Sequence, residues 1–145
     1  MTRVFLDTSV IVHATGGAHA YREPCRAVVR MAGEGRLAGE TSVEMVQELA
    51  HVLLRRHGDR AAAVAQAQNV GRLCELHDFV VGDLVEAMAL SVAHSALDMR
   101  DAVYAATART RGLEHVISTD RAFDGIPGLT WVDPADSRAM AALAG

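Results

Sequence analysis

Apolar and polar positions along the chain switch between two spacings. The run Arg3–Leu6 predicts a β-strand, and Asp7-Thr8-Ser9 after it a strand-to-helix turn with a capping residue. Helical spacing follows over Val10–Ala14 and, beyond the Gly16-Gly17 break, over Tyr21–Ala32, ending at Gly33-Glu34-Gly35. Leu37–Glu40 predicts a short strand, and Thr41-Ser42 caps a long helix reaching Arg56. His57-Gly58-Asp59 ends that helix, and an alanine-rich one covers Arg60–Leu76. Phe79-Val80-Val81 predicts a strand, Asp83 the cap of a helix to His94, and Asp98 the start of a helix to Arg111 that Gly112 closes. His115–Ser118 and Leu129–Val132 predict two more strands, and Pro134–Gly145 a short frayed helix. Short β-runs alternating with helices predict a three-layer α/β/α fold with a mainly parallel central sheet, as one domain over residues 1–145.

Composition narrows the classes. Half of the residues are hydrophobic and 22% are charged, enough to build a packed core. No apolar run approaches the roughly 18 residues a bilayer span needs, so an integral membrane protein is not expected. The opening Met1–Asp7 places a carboxylate in the first apolar stretch and does not read as a signal peptide. Cys25 and Cys74 lie far apart and form neither a disulfide framework nor a zinc pattern. They read as small buried hydrophobes in a cytoplasmic protein. The formal net charge of −4 argues against a protein that coats nucleic acid, which needs a large positive surface. It leaves room for an enzyme that handles a phosphodiester through a metal. All 14 basic residues are arginine. Amine nucleophiles, Schiff bases and P-loop lysines are thereby excluded.

The acidic residues carry the candidate chemistry. In an open α/β sheet the ligand crevice lies beyond the carboxyl ends of the strands. Asp7 follows the first strand and Asp120 follows His115–Ser118, so parallel strands bring both to one edge. Asp98 and Asp101, at i and i+3, share a face of the first turn of their helix. On the helix after Ser42 the apolar stripe is Val43, Met45, Val46, Leu49, Val52 and Leu53, and Glu48 falls at its margin. Singly, each acid reads equally well as a helix cap or a boundary residue. Together they form a spread-out set with no lysine to neutralise it, and clustered carboxylates repel unless a cation intervenes. All-oxygen ligation suits Mg²⁺ or Mn²⁺.

These residues resemble the PIN-domain ribonucleases, and within them the VapC-type toxins of toxin–antitoxin pairs. Val4-Phe5-Leu6-Asp7-Thr8-Ser9-Val10 is similar to the family's first motif, and Ser42 with Glu48 in Gln47-Glu48-Leu49 to the second. Asp98-Met99-Arg100-Asp101-Ala102 is similar to the third, and Val116-Ile117-Ser118-Thr119-Asp120-Arg121-Ala122-Phe123 to the fourth. Position by position, the resemblance implies an acidic cluster of Asp7, Glu48, Asp101 and Asp120 that holds the ion, with Asp98 as a fifth member. Ser9 and Thr119 would orient carboxylates or water through their hydroxyls. Glu44 rivals Glu48 as the second acid, although helix geometry favours Glu48, and Asp124 reads as a turn residue.

The resemblance further implies an Mg²⁺- or Mn²⁺-dependent endoribonuclease toxin that cleaves RNA by metal-activated water, a VapB-type protein antitoxin whose C-terminal segment lies near the active site, and a homodimer. Arg100, Arg121 and Arg109 are sequence neighbours of the motifs that could meet a substrate phosphate. The seven histidines show no i, i+4 pair and read as surface or boundary residues. Two rival readings are a PIN-like binding module whose acids only cap helices, and a haloacid-dehalogenase-like phosphotransferase. The latter wants an aspartate where Ser9 stands and a lysine that is missing.

Overall fold

The computed structural model describes residues 1–145. Five short strands form one sheet: β1 (Thr2–Leu6), β2 (Leu37–Ser42), β3 (Glu75–His77), β4 (His115–Ile117) and β5 (Thr130–Val132). Their order is β3-β2-β1-β4-β5, and every pairing is parallel. Seven helices connect and cover them: α1 (Thr8–Thr15), α2 (Arg22–Gly33), α3 (Val43–His57), α4 (Arg60–Leu73), α5 (Val81–Ala93), α6 (Met99–Thr110) and α7 (Ser137–Ala144). No helix is long and apolar enough to cross a membrane.

Strand alternation assigns the two faces. Phe5 points to the face covered by α6, where its ring lies 5.9 Å from that of Tyr104. Leu6 and Gly39 point to the other face. A Cβ on Gly39 would sit 3.1 Å from Cys74 Sγ, 3.4 Å from Leu6 Cδ1 and 3.7 Å from Ala32, so a glycine lets α2 and the end of α4 approach the sheet. Val4, Phe5, Leu6, Val116 and Ile117 are fully buried, as expected of parallel strands covered on both sides.

The β3 region departs from the sequence expectation. The alanine-rich helix ends at Leu73 instead of Leu76, and the strand is Glu75–His77 rather than Phe79-Val80-Val81. Cys74 leaves the helix in an extended conformation and tucks its buried side chain beneath Gly39. The chain then pairs Glu75, Leu76 and His77 with Glu40, Thr41 and Ser42. Val80 and Val81 are exposed, and Asp83 sits in the first turn of α5 rather than at its cap. Its Oδ2 accepts the Val80 N–H (3.1 Å) and Arg111 Nη2 (3.1 Å), and its Oδ1 accepts the hydroxyl of Thr110 at the end of α6 (2.6 Å).

β1 is central, and the chain crosses to β2 on one side of it and places β4 on the other. This is the switch point at which the connections beyond the strand ends diverge and leave a crevice.

Candidate active site

Asp7 ends β1 at that switch point and occupies the cap position of α1, yet its side chain makes no capping hydrogen bond. Instead Oδ2 accepts the hydroxyls of Ser9 and Ser118, each at 2.7 Å. Asp7 is almost fully buried. Burial pushes its carboxyl above the ordinary range, and the Ser118 and Ser9 hydroxyls oppose that rise. The capping expectation holds instead for Asp98, which accepts the Asp101 N–H (2.8 Å), and for Asp120, which accepts the Ala122 N–H (2.9 Å). Capping and a place in the cleft are compatible, because a cap uses one carboxylate oxygen and leaves the other free.

Asp7, Glu48, Asp98, Asp101 and Asp120 all line one cleft of about 330 Å³, together with Ser9, Thr119, Arg100 and His13. Asp101 shows how densely charge is gathered there. Burial first, then the charges of Asp7, Asp98, Asp120 and Glu48, push its carboxyl up to about 8. Glu48 projects from α3, where its Oε2 accepts the Thr8 hydroxyl (2.9 Å) and the Tyr104 hydroxyl, and its Oε1 pairs with Arg100 Nη1 at 3.1 Å. Tyr104 answers with a phenol pushed far above its ordinary value, by burial and then by the Glu48 hydrogen bond. Glu44 lies instead in a neighbouring, more apolar cavity of about 370 Å³ between α3 and α6, with Gln47, His51, Met99 and Val103.

Other positions differ from expectation. It is the Thr119 backbone N–H that donates to Ser9 Oγ (3.1 Å), and the buried Ser118 hydroxyl that meets Asp7. Arg121 does not line the cleft: it lies over the Trp131 ring at 5.5 Å and pairs with Asp124 at 3.5 Å. Arg109 is taken up by Glu86 at 3.1 Å. The sequence does not single out Thr8 and His13, which line the cleft, or Tyr104 and Ser118, which hydrogen-bond to its Glu48 and Asp7. Tyr104 stands three positions after Asp101 on the same helix face, a signal that was available. Val43, placed on the apolar stripe, is exposed.

No three of the cleft carboxylates hold their oxygens within 4.8 Å of one another; Glu40, Glu75 and His77 do. In that second group Glu40 is already paired. Glu40 accepts Arg3 Nε (2.6 Å) and Nη2 (3.0 Å) and contacts His77 Nε2 (2.6 Å), so an arginine stands where a cation would be needed. In the main cleft the balance is the opposite: five acidic residues face one arginine. An oxygen-only donor set with uncompensated negative charge fits a hard divalent cation such as Mg²⁺ or Mn²⁺. Mutual repulsion accounts for the spread of these oxygens.

Known proteins similar to this chain define its family and its fold. Residues 4–129 match the model of the PIN domain. The chain is 33% identical over 144 residues to Ribonuclease VapC7 of Mycobacterium tuberculosis, covering 98% of each chain. Its fold is shared with the crystal structure of M. tuberculosis VapC20, a sarcin-ricin loop cleaving toxin, at 24% identity and a TM-score of 0.64, covering 84% of this chain and 90% of that one. It is shared also with VapBC2 from Rickettsia felis bound to a DNA fragment from its promoter, at 14% identity and a TM-score of 0.68, covering 90% and 98%. The chain belongs to the PIN-domain family, a family of nucleases. Within it, the chain is similar over its whole length to a ribonuclease of the VapC type.

Proposed function

We propose that the chain is a divalent-metal-dependent endoribonuclease and the toxin of a VapBC-type pair. The observation that carries this reading is the convergence of Asp7, Glu48, Asp98, Asp101 and Asp120, from four separate segments, on one cleft at the sheet's switch point. Asp7, Asp101, Asp120 and Glu48 are the proposed ligands. A bound Mg²⁺ or Mn²⁺ would supply a lowered water pKa and offset charge on the phosphoryl oxygens.

The chain's own groups do the rest. Ser9 and Ser118 hold Asp7 Oδ2 in one orientation. Thr8, Tyr104 and Arg100 hold Glu48, and its Oε1, released from Arg100 as a phosphate takes the guanidinium, becomes free to accept a proton from an attacking water. A bound cation would hold Asp101 ionised at neutral pH in spite of its neighbours.

The antitoxin reading rests on the solved relatives, among them the Rickettsia felis VapBC2 complex. The apolar cavity beside Glu48, walled by Met99, Val103 and Tyr104, suits a protein segment lying against the cleft. The homodimer reading rests on the outer face of α5, where Val81, Val85, Met88 and Val92 are exposed. The same reading places the protein in the cytoplasm, with its RNA.

The deciding experiment incubates the purified chain with total cellular RNA and Mn²⁺ or Mg²⁺, with a chelator arm and an Asp7→Asn arm. Discrete cleavage lost in both control arms is expected. Absence of both RNA cleavage and Mn²⁺ binding would sink the enzyme reading and leave acids that merely cap helices.

A further inference from the structure

A second, smaller cleft of about 170 Å³ adjoins the acidic one, and Val12 and His13 belong to the walls of both. Its outer wall is Arg56, with the backbone of Gly16 and Gly17 and the ring of His19. Glu48, Val52 and Arg56 recur at every fourth position of α3, and Ser9 and His13 at the same spacing on α1. One line on each helix therefore leads from the carboxylates outward. Along α3 the distance is about 12 Å at 1.5 Å per residue, a reach of a few nucleotides of single strand.

The groups along this rim are unlike those of the acidic cleft. Arg56 is exposed and forms no ion pair. The guanidinium lies beside Gly16, where an added Cβ would stand at ordinary contact distance, 3.5 Å, from its Nη1. Three rings stand together beside it: His13 and His19 at 4.4 Å between centroids, and His19 and Tyr21 at 6.0 Å with planes 14° apart. They are held in place. The Tyr21 hydroxyl donates to Asp133 at 3.1 Å, and the Tyr21 N–H donates to His19 Nδ1 at 3.0 Å, which leaves the His19 proton on Nε2. Burial, then His19 and Arg56, hold His13 below its ordinary range, so its ring is neutral at pH 7 and presents a flat surface rather than a charge.

Building on the ribonuclease reading, we propose that this rim is a subsite for single-stranded RNA next to the cut phosphate, with Arg56 taking a backbone phosphate and the His13–His19 rings a base. A chain of net charge −4 with an acidic cleft repels RNA, and an arginine without a carboxylate partner at the cleft's edge offsets that repulsion locally. Aromatic rings beside a cation are the combination that binds single strands without strict sequence choice. A protein segment gains little from a neutral imidazole face.

The test titrates a short fluorescein-labelled single-stranded RNA of mixed sequence against the unmodified chain, Arg56→Ala, Arg56→Lys and His19→Ala, in chelator so that nothing is cut. Cleavage kinetics in Mn²⁺ follow on the same proteins. Arg56 and His19 are exposed, and thermal melts check that each variant folds. Arg56→Ala and His19→Ala are each expected to weaken binding roughly five- to fiftyfold. Each should raise KM with kcat held within about twofold, as for binding made equally in ground and transition states. Arg56→Ala alone should lower the salt slope by about 0.7, and Arg56→Lys should restore it. Unchanged RNA affinity in both alanine variants overturns the subsite, whether or not RNA is cut. A loss confined to kcat overturns it too. Binding that depends on Arg56 and His19 in a chain that cuts RNA with neither ion overturns the ribonuclease reading and leaves the rim as an RNA-binding surface.

Discussion

Ser118 and Asp7 stand 111 positions apart and meet through one hydrogen bond, the Ser118 hydroxyl donating to Asp7 Oδ2 over 2.7 Å. The same Ser118 oxygen accepts the Asp120 N–H at 2.9 Å. One buried hydroxyl thus fixes the carboxylate beyond β1 and the backbone of the acid beyond β4. Ser118→Ala removes a donor from a carboxylate that burial already pushes upward. Outer hydrogen bonds of this kind typically contribute 10- to 100-fold in metal affinity. Mn²⁺ affinity measured calorimetrically should fall by roughly that factor while the thermal melt shifts little. An unchanged affinity would show that Ser9 alone suffices to orient Asp7.

Asp101 gives the metal-free protein a pH dependence of definite sign. Its carboxyl is pushed up to about 8, whereas the ordinary value is 3.8. Between those values the native cluster keeps a proton that the unfolded chain has released. The stability tied to this group is fully present below about pH 4 and is lost as pH rises to about 8. Asp101→Asn cannot ionise, so in chelator at about pH 9 it should be more stable than the unmodified chain. We expect about 1–3 kcal/mol, discounted because the site is partly open to water. The advantage should shrink as pH falls, and Mn²⁺ should stabilise the unmodified chain more than the variant. Urea melts at two pH values decide it: equal stability at high pH would mean that the cluster carries no such strain.

Much of this was legible in the sequence, for a physical reason. Asp7 and Asp120 follow apolar strands directly, and parallel strands put such residues at one edge whatever the details of packing. Glu48 at the margin of an apolar stripe was readable from helical spacing alone. The misses are residues whose place depends on long-range partners. Nothing local in Phe79-Val80-Val81 shows that the strand lies earlier, at Glu75–His77, because that choice follows from pairing with Glu40–Ser42 and from Cys74 settling under Gly39. Arg121 stands beside Asp120 in sequence yet leaves the cleft for Trp131 and Asp124. Ser118 ends a predicted strand, and its role as donor to Asp7, 111 positions away, is set by the pairing of β1 with β4.

Glu40 is such a long-range residue, and it separates structural from metal-binding acids. Burial would raise its carboxyl, but the Arg3 hydrogen bond, then His77 and the Arg3 charge, bring it below the ordinary range. Its contribution to stability is present above the ordinary carboxyl range and is lost as pH falls through the lowered native value. Glu40→Gln leaves Arg3 and His77 facing a neutral amide. Breaking a buried pair costs about 3–5 kcal/mol, and the half-exposed Arg3 places this one nearer about 2 kcal/mol. Urea denaturation should register that loss while Mn²⁺ stoichiometry and affinity stay as they were. A variant of normal stability that lost an Mn²⁺ site would make Glu40, Glu75 and His77 a metal centre after all.

The outer face of α5 tests the homodimer. Val81, Val85, Met88 and Val92 are 78, 63, 53 and 90% exposed, at steps of four, three and four residues. Those steps are the spacing of a helix seam that packs against another helix, and four large apolar side chains so exposed on one helix are unusual in a monomer. The inner face of the same helix is already satisfied by Asp83, Ala87 and Leu90, all buried against the fold. A second copy related by a two-fold axis would bring the stripe against itself, as an isologous contact requires. Each exposed valine that becomes buried contributes about 1.5 kcal/mol or more, so one central charge should be enough to part the copies. Light scattering is expected to give twice the 15.4 kDa chain mass for the unmodified protein and the single mass for Val85→Glu, with unchanged thermal unfolding at low concentration. A Val85→Glu protein that keeps the double mass would move the dimer contact elsewhere on the chain.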